Sequence, residues 1–373
     1  MPSRWGSVVD LEVDRSHLDR VQVRDEPPAP LADGAARIEV EQFALSANNI
    51  SYAAFGDLLR YWEFFPAPAG ADGTPWGRIP VWGYGRVVES RCDELAVGRR
   101  VFGYLPMSSE VTFTPGRFDE RGFTDLAAHR SGMAAAYNRY VFVDADPSYR
   151  ADREGHHLLL YPLFFTAFVV DDFLDDNDDY SAEQLWISSA SAKTSIGIAF
   201  LARQRQAATV IGLTSERNQA FVEGLGIYDR VVTYDEVAEV DPAPAVYVDI
   251  AGNDDVTRAV HTHLGDALAY SMRVGGTHWD HQAGAPPAEG LPGPTPEFFF
   301  APNQLAKRSH EWGQDELDAR MGAAWSTFAD WIDGWLRFER AEGPEAVEAA
   351  YRSLLTNEAD PATGHLCTLA RAD

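Results

Sequence analysis

Apolar and polar residues alternate through Ala36–Leu45 (ARIEVEQFAL), the period of a strand with one buried face. IPVWGYGRVVES and GRRVFGYL read as two further strands separated by a polar turn, and YNRYVFV as another. Glycine and proline punctuate these runs, which predicts a barrel-like, strand-rich domain over residues 1 to about 155. Between Leu105 and Ala136 no period is clear. A long excursion from the barrel is expected there, of a kind that often carries function.

From about residue 156 the pattern changes. The longest apolar run, LLLYPLFFTAFVV (Leu158–Val170), has about 13 residues where a membrane span needs roughly 20, so it reads as a core segment. A strand at Leu185–Ile187 then runs into a tight turn of small residues, a helix over Thr194–Arg203 and a strand at Thr209–Leu213. Further strands are expected at Val231–Thr233, in AVYVDIAG ending at Asp249–Gly252, and in LAYSMRVGGT ending at Gly275–Gly276, with a helix over Val256–Leu264. Alternating strands and helices predict a parallel, doubly wound sheet, so the fold class is α/β. After a Pro/Gly-rich loop come a tryptophan-rich helix from about Asp315 to Arg340, a helix in GPEAVEAAYRSLL and a last strand at His365–Leu369. The expected domains are residues 1–155 completed by 340–373, and residues 156–339.

Charge narrows the partners. The formal net charge is −26 and the pI about 4.6. Such a surface repels nucleic acid and anionic membranes, so neither is expected as a partner. Cys92 and Cys367 are the only cysteines, too few for a disulfide framework or a thiolate zinc cluster. The N-terminus lacks a basic-then-apolar signal pattern, and a reducing cytoplasm is the expected compartment. Of the 31 basic residues only Lys193 and Lys307 are lysines, and Lys193 stands in the small-residue turn.

The turn between the first parallel strand and its helix is where backbone N–H groups bind a pyrophosphate. In its order of elements the chain resembles the medium-chain dehydrogenase/reductase superfamily, in particular its zinc-independent quinone and enoyl reductase branch. ARIEVEQFALSANNI resembles that branch's strand and Asn-Pro-x-Asp turn, which falls on Ser46, Ala47, Asn48 and Asn49 with the Pro and the Asp replaced. WGYGRVVES followed by LAVGRRVFGY resembles "G-x-G-x-V" followed by "VGDRVFG". PLFFTAF, LGIYDRVV and VYVDIAGN resemble "P-L-T-A-Y", "LG-A-D-x-V" and "V-D-x-x-G". The resemblance spans nearly the whole chain. It implies a GroES-like β-rich catalytic domain joined to a Rossmann cofactor domain.

The resemblance also implies site residues. The family's "G-A-x-G-G-V-G" falls on Ser189, Ala190, Ser191, Ala192, Lys193, Thr194 and Ser195, and all of its glycines are replaced. Lys193, Thr194 and the serine hydroxyls are then expected to supply charge and donors to the phosphates. A Walker A reading fails, because Ala192 and Ile187 stand where it needs glycine. After the second strand, Ser215 and Arg217 suit a 2′-phosphate, whereas Glu216 between them offers a partner to ribose hydroxyls. NADP(H) is the expected cofactor, with Gly252 and Gly275 at later strand ends beside it. Tyr52 is the candidate proton donor and Tyr61 the second choice. Asn48, Asn49, Thr166 and Phe299 are candidate substrate contacts, and Phe298–Phe300 point to a small apolar substrate.

No metal is expected. His261/His263 and His278/His281 lack a third ligand at a recognisable distance and read as surface histidines. The acidic run Asp171–Asp179 lacks the glycine and glutamate of an EF-hand and reads as a solvated connection. The resembled branch forms two-fold dimers, so a homodimer is expected, with LAYSMRVGG as a sheet-edge strand. Two functions stand: an NADP(H)-dependent reductase of an enone, quinone or enoyl thioester, and a reductase-like scaffold that has lost catalysis.

Overall fold

The computed structural model describes residues 6–206, 208–274 and 290–370. The chain divides into two compact units, Met1–Leu159 with Arg337–Asp373, and Leu160–Leu336. The first unit opens with a hairpin of β1 (Val8–Asp14) and β2 (His17–Glu26). Both faces of β1 are buried, Val9, Leu11 and Val13 on one and Asp10, Glu12 and Asp14 on the other. Buried carboxylates need partners. Arg78 pairs with Asp10 at 2.8 Å, Arg24 with Glu12 at 3.0 Å and Arg20 with Asp14 at 2.9 Å.

The barrel-like sheet follows, from β3 (Ala36–Leu45), β5 (Pro80–Ser90) and β6 (Arg100–Pro106), with helix α1 (Ala47–Ala54) after β3, while the short β4 (Trp76–Gly77) pairs with β1 instead. β3, β5 and β6 pair antiparallel in sequence. The interval from Leu105 to Ala136 is not the expected excursion. It holds β7 (Glu110–Phe113), β8 (Pro115–Asp119) and β9 (Gly122–Asp125), and leads into the short helix α2 (Ala135–Asn138) and β10 (Arg139–Phe142). β7 pairs with β3 and β9 with β10. Strands of four or five residues are too short to display a period. Packing of Phe113, Phe123 and Tyr140 holds them instead, with Phe113 and Tyr140 ring centroids 4.2 Å apart.

The unit boundary falls inside α3 (Glu154–Asp176), which contains the Leu158–Val170 run. By length and composition this helix is a candidate membrane span, but most of its apolar window is buried in the fold. Its acidic end is not a solvated connection. Residues four apart share a helix face. Asp171 and Asp175, with Asp179 just beyond the helix, converge on Arg205, while Asp172 and Asp176 take Arg308. Burial raises Asp171 to about 6 despite Arg205.

The parallel sheet alternates β11 (Gln184–Ile187), α4 (Lys193–Arg205), β12 (Thr209–Thr214), α5 (Glu216–Leu225), β13 (Arg230–Thr233), β14 (Ala245–Asp249), α6 (Asp254–Leu264), β15 (Leu268–Arg273) and β16 (Glu297–Phe298). The strand order is β13-β12-β11-β14-β15-β16. Every residue of β14, and Leu185–Ile187 of β11, is buried, as a sheet covered on both faces requires. β15 is not the edge, because β16 pairs with its last two residues. The expected helix Asp315–Arg340 is also corrected. α7 (Ala301–Trp312) and α8 (Gln314–Ile332) flank Gly313, whose φ of +81° breaks the helical run.

Arg337–Glu342 is instead a strand, β17, followed by α9 (Pro344–Leu355) and β18 (Thr363–Thr368). β18 pairs antiparallel with β3 and parallel with β17, so the chain's end lies in the first unit's large sheet.

Candidate functional site

The Leu160–Leu336 unit carries the strand order of a dinucleotide fold, numbered outward from β11 and β14 at its centre. Ligands of such sheets bind outside the carboxyl ends where the order reverses. There the chain leaves β11 through Ser188–Ala192 and enters α4 at Lys193. Ser189, on the expected first glycine, adopts φ +46°. Ala192 N–H closes the turn on Ser189 O at 2.7 Å, and Ala190 N–H bonds Leu213 O of β12 at 2.9 Å. Ser189, Ala190 and Ser195 are buried, while Ser191, Ala192, Lys193 and Thr194 are half-buried. The expected cofactor residues therefore fall into two sets: one built into the fold, the other on the outer rim with the start of α4. Ser195 Oγ donates to Ser188 O at 3.0 Å, a packing role in place of a glycine.

The turn is tied to β14 through Ser188 and Asp249. Ser188 Oγ donates to Asp249 Oδ1 at 2.8 Å and accepts from the N–H groups of Ile250 and Ala251, each at 2.9 Å. Asp249 also accepts from Gly252 N, Thr257 Oγ1 and Tyr247 Oη. Gly252 has φ +63°, a conformation that only glycine adopts freely. Asp249 stood in the quoted VYVDIAGN segment, but Ser188 had no sequence signal. Gly275, His278 and His281 lie outside the described residues. Ser215 caps α5, and Arg217 is exposed on that helix's first turn.

In the first unit, Ser46 and Asn49 form a capping box on α1. Asn49 Oδ1 accepts from Ser46 N–H at 2.9 Å and Asn49 Nδ2 donates to Pro80 O at 3.0 Å. Its amide is therefore engaged in fixing α1, not presented to a substrate. Asn48 is half-buried with its amide beside the Tyr52 hydroxyl. Tyr52 is buried in an aromatic cluster with Tyr61 at 4.6 Å and Tyr104 at 5.5 Å between ring centroids. Tyr137 packs on Tyr104 at 4.7 Å and on Tyr61 at 6.0 Å. Trp82 Nε1 donates to Tyr52 Oη at 3.3 Å. Burial, reinforced by Tyr137, pushes the Tyr52 phenol far above its usual range, so it stays protonated. Tyr61 is raised by burial in the same way. Trp82, Tyr104 and Tyr137 come from three distant segments, which no local pattern links.

Thr166 Oγ1 turns back to Pro162 O within α3 at 3.4 Å. Phe299 is buried against Phe173 at 5.4 Å, a core contact, whereas Phe298 and Phe300 are exposed. His261 is not a surface residue: it is buried, with Nδ1 on Pro292 O at 2.8 Å and Nε2 on Ser271 Oγ at 2.9 Å. His263 Nε2 donates to Val240 O at 2.7 Å. Among the described residues no group of three or more His, Cys, Asp or Glu is arranged to hold a metal ion.

Residues 43–360 match the family model described as "Protein of unknown function (DUF2855)". No protein of curated function matches the sequence. Among solved structures, CurA from Vibrio vulnificus aligns over 98% of this chain and 100% of its own, with a TM-score of 0.63 at 15% identity. CurA in complex with NADPH aligns over 98% and 99%, with a TM-score of 0.62 at 14% identity. A putative NADPH:quinone reductase from Mesorhizobium loti aligns over 97% and 98%, with a TM-score of 0.57 at 13% identity. At these identities the likeness is one of fold, and the fold-level resemblance read from the sequence holds. With most of its length inside the family model, this chain belongs to the DUF2855 family and has the two-domain fold of medium-chain dehydrogenases and reductases.

Proposed function

We propose that this protein is a zinc-independent reductase that uses NADP(H) on a small, apolar, conjugated carbonyl compound: an enone, a quinone or an enoyl thioester. The observation that carries the reading is the β11–α4 turn at the reversal point of the parallel sheet, in a fold that CurA from Vibrio vulnificus uses in complex with NADPH. The residues present fit a dinucleotide. Ser191, Ala192, Lys193 and Thr194 line the outer rim of the turn, and the first N–H groups of the thirteen-residue helix α4 have no partner inside the helix. Lys193 adds a charge that a glycine would not. Ser215 and Arg217 stand after β12, where such folds hold a 2′-phosphate or ribose, and Gly252 takes its left-handed turn just after β14.

Bound NADPH supplies a hydride. The remaining chemistry belongs to the chain's own residues. In this reading Tyr52 Oη delivers the proton, with Asn48 beside it and Trp82 Nε1–H holding the oxygen. Trp82 also stabilises the phenolate that forms as the proton leaves. The aromatic walls exclude water and favour an apolar substrate. Asn49 and Thr166 act through the backbone they fix, and Phe299 through the packing beneath Phe298 and Phe300. We include a cytoplasmic homodimer in this reading.

Titration of the purified protein with NADPH and NADH, followed by NADPH oxidation against a panel of enones, quinones and enoyl thioesters, tests the proposal. NADPH is expected to bind more tightly. Arg217→Ala should weaken NADPH by about 1.5–3 kcal/mol and spare NADH, as loss of a charge-assisted bond requires. Binding of neither cofactor, or NADPH binding with no turnover across the panel, favours the scaffold reading instead.

A further inference from the structure

Glycine-rich turns do three things: they allow a left-handed backbone at the strand exit, let phosphate approach the main chain, and let helix pack on strand. This turn does them without glycine, and the structure shows what stands in. Tyr228, from the loop between α5 and β13, is buried beneath the turn and donates its Oη to Ala190 O at 2.8 Å. Its ring fits because residue 212 of β12 is glycine. A Cβ there would lie 2.7 Å from Tyr228 Cδ1 and 3.0 Å from Ala190 Cβ. A glycine absent from the turn is thus required one strand away.

The bond to Ala190 has a directional consequence. In a trans peptide the carbonyl oxygen and the following N–H point in opposite directions. Holding Ala190 O inward on Tyr228 therefore turns the Ser191 N–H outward, toward the rim. That N–H has no backbone acceptor among the described residues. Asn218 Nδ2 of α5 meanwhile donates to Ser191 Oγ at 3.1 Å. An oxygen that accepts this bond keeps its own hydrogen to donate elsewhere. Ser191 is left with two donors, N–H and O–H, whose directions are set by Tyr228 and Asn218.

We infer that Tyr228 and Asn218 are positioning residues of the cofactor site, which orient the two donors of Ser191 toward the pyrophosphate in place of the missing glycines. The inference rests on the proposed NADP(H) site but concerns residues outside it. It makes a claim that a merely structural role does not. The pyrophosphate is common to NADPH and NADH, so both cofactors must lose affinity together, unlike the selective loss expected at Arg217.

The test is calorimetric titration of both cofactors into wild type, Tyr228→Phe and Asn218→Ala, with melting temperatures measured alongside. Tyr228→Phe keeps the ring and removes one hydrogen bond, so about 5- to 10-fold weaker binding of NADPH and NADH alike is expected. Asn218→Ala, at a half-buried helix position, should fold normally and weaken both by a smaller factor. Lower melting temperatures with unchanged dissociation constants would show that the brace only stabilises the fold, and would overturn the inference. So would a loss confined to NADPH. If Tyr228→Phe does not fold, Asn218→Ala alone decides by the same criterion. Wild type that binds neither cofactor overturns the cofactor site itself. Wild type that binds, with variants that bind equally well, overturns only the positioning role.

Discussion

The strands of the first unit and the two ends of α4 in the second differ in how they treat glycine. In the first unit, Gly83, Gly85 and Gly103 sit in strands where a side chain would collide with its neighbours. A Cβ at Gly85 would lie 2.5 Å from Ile38 Cγ2 and 3.0 Å from Glu39 O, and one at Gly103 would lie 2.5 Å from Tyr140 Cδ1. In the second unit, Ser189 and Gln206 hold φ of +46° and +55° without being glycine. The demand at those positions comes from the backbone, and a left-handed residue costs only about 1–2 kcal/mol. Hydrogen bonds around the turn offset a cost of that size. They cannot offset a Cβ placed against packed atoms. A glycine required by packing persists, whereas one required by conformation can be replaced.

On the proposed role of Tyr52, the largest effect expected is in the first unit. Tyr52→Phe keeps the ring of the aromatic cluster and removes only the hydroxyl. Turnover should fall about 10²- to 10⁴-fold while NADPH binding is unchanged. Full activity on any accepted substrate would move the role to Tyr61, which touches the same ring.

Acid should give the next largest effect. His157 is buried, with Nδ1 on the Tyr84 hydroxyl at 2.8 Å and Nε2 3.4 Å from Asp146 Oδ2. Burial lowers it to about 3, below the usual 6.5. The unfolded chain therefore binds the proton more readily between those values. The neutral histidine's contribution is complete above about pH 6.5 and is lost as pH falls toward 3. At pH 4.5 the loss should be about 2 kcal/mol, moderated by the Asp146 carboxylate. Urea melts at pH 7 and 4.5 would show a smaller difference in His157→Gln than in wild type. Equal acid sensitivity would assign the effect to other groups.

The glycine comparison itself is tested by Gly85→Ala. With a backbone oxygen and a β-branched side chain against the new methyl, a destabilisation of about 1–3 kcal/mol is expected. A neutral result would mean that the strands yield and that packing is not what keeps the glycine.

The same distinction explains what could be read from the sequence. The G-x-G-x-V strand, LGIYDRVV and VYVDIAGN were legible because packing and backbone pairing constrain consecutive residues. The first five strands of the parallel sheet are expected to start within a residue of where they do, because buried strands are continuous apolar runs, whereas β16, two residues long, carries no pattern. β7, β8 and β9 were not legible, since each is too short to show a period. β17 was missed because Arg337–Glu342 reads as polar helix: it is a strand through its pairing with β18, far along the chain. The site divides in the same way. Ser189–Thr194 form one segment, so the expectation takes them in together. The surroundings of Tyr52 assemble from Trp82, Tyr104 and Tyr137, and Tyr228 reaches the turn from another loop. Aspartates at alternating i, i+4 positions on α3 were visible, but their partners Arg205 and Arg308 were not, because tertiary structure alone brings them close.

The smallest effect is the most direct measure of backbone cost. Gln206 caps the C-terminus of α4 at φ +55°, ψ +37°, with its N–H on Ala202 O and Arg203 O and its side chain exposed. Glycine is favoured at this position because it has no Cβ to strain. At the end of α5 the chain does use glycine, at Gly226 with φ +65°. Gln206→Gly keeps the capping hydrogen bonds and relieves the strain, against some gain in unfolded-chain entropy. A net stabilisation of about 0.5–1 kcal/mol is expected, seen as a rise of about 1–4 °C in melting temperature. Gly226→Ala should cost about the same amount. If both substitutions destabilise, conformation does not separate the two caps, and the tolerance of serine at Ser189 must come from its particular hydrogen bonds. If Gln206→Gly stabilises and Gly226→Ala destabilises, the left-handed cost is small enough for a few hydrogen bonds to offset, as the glycine-free turn requires.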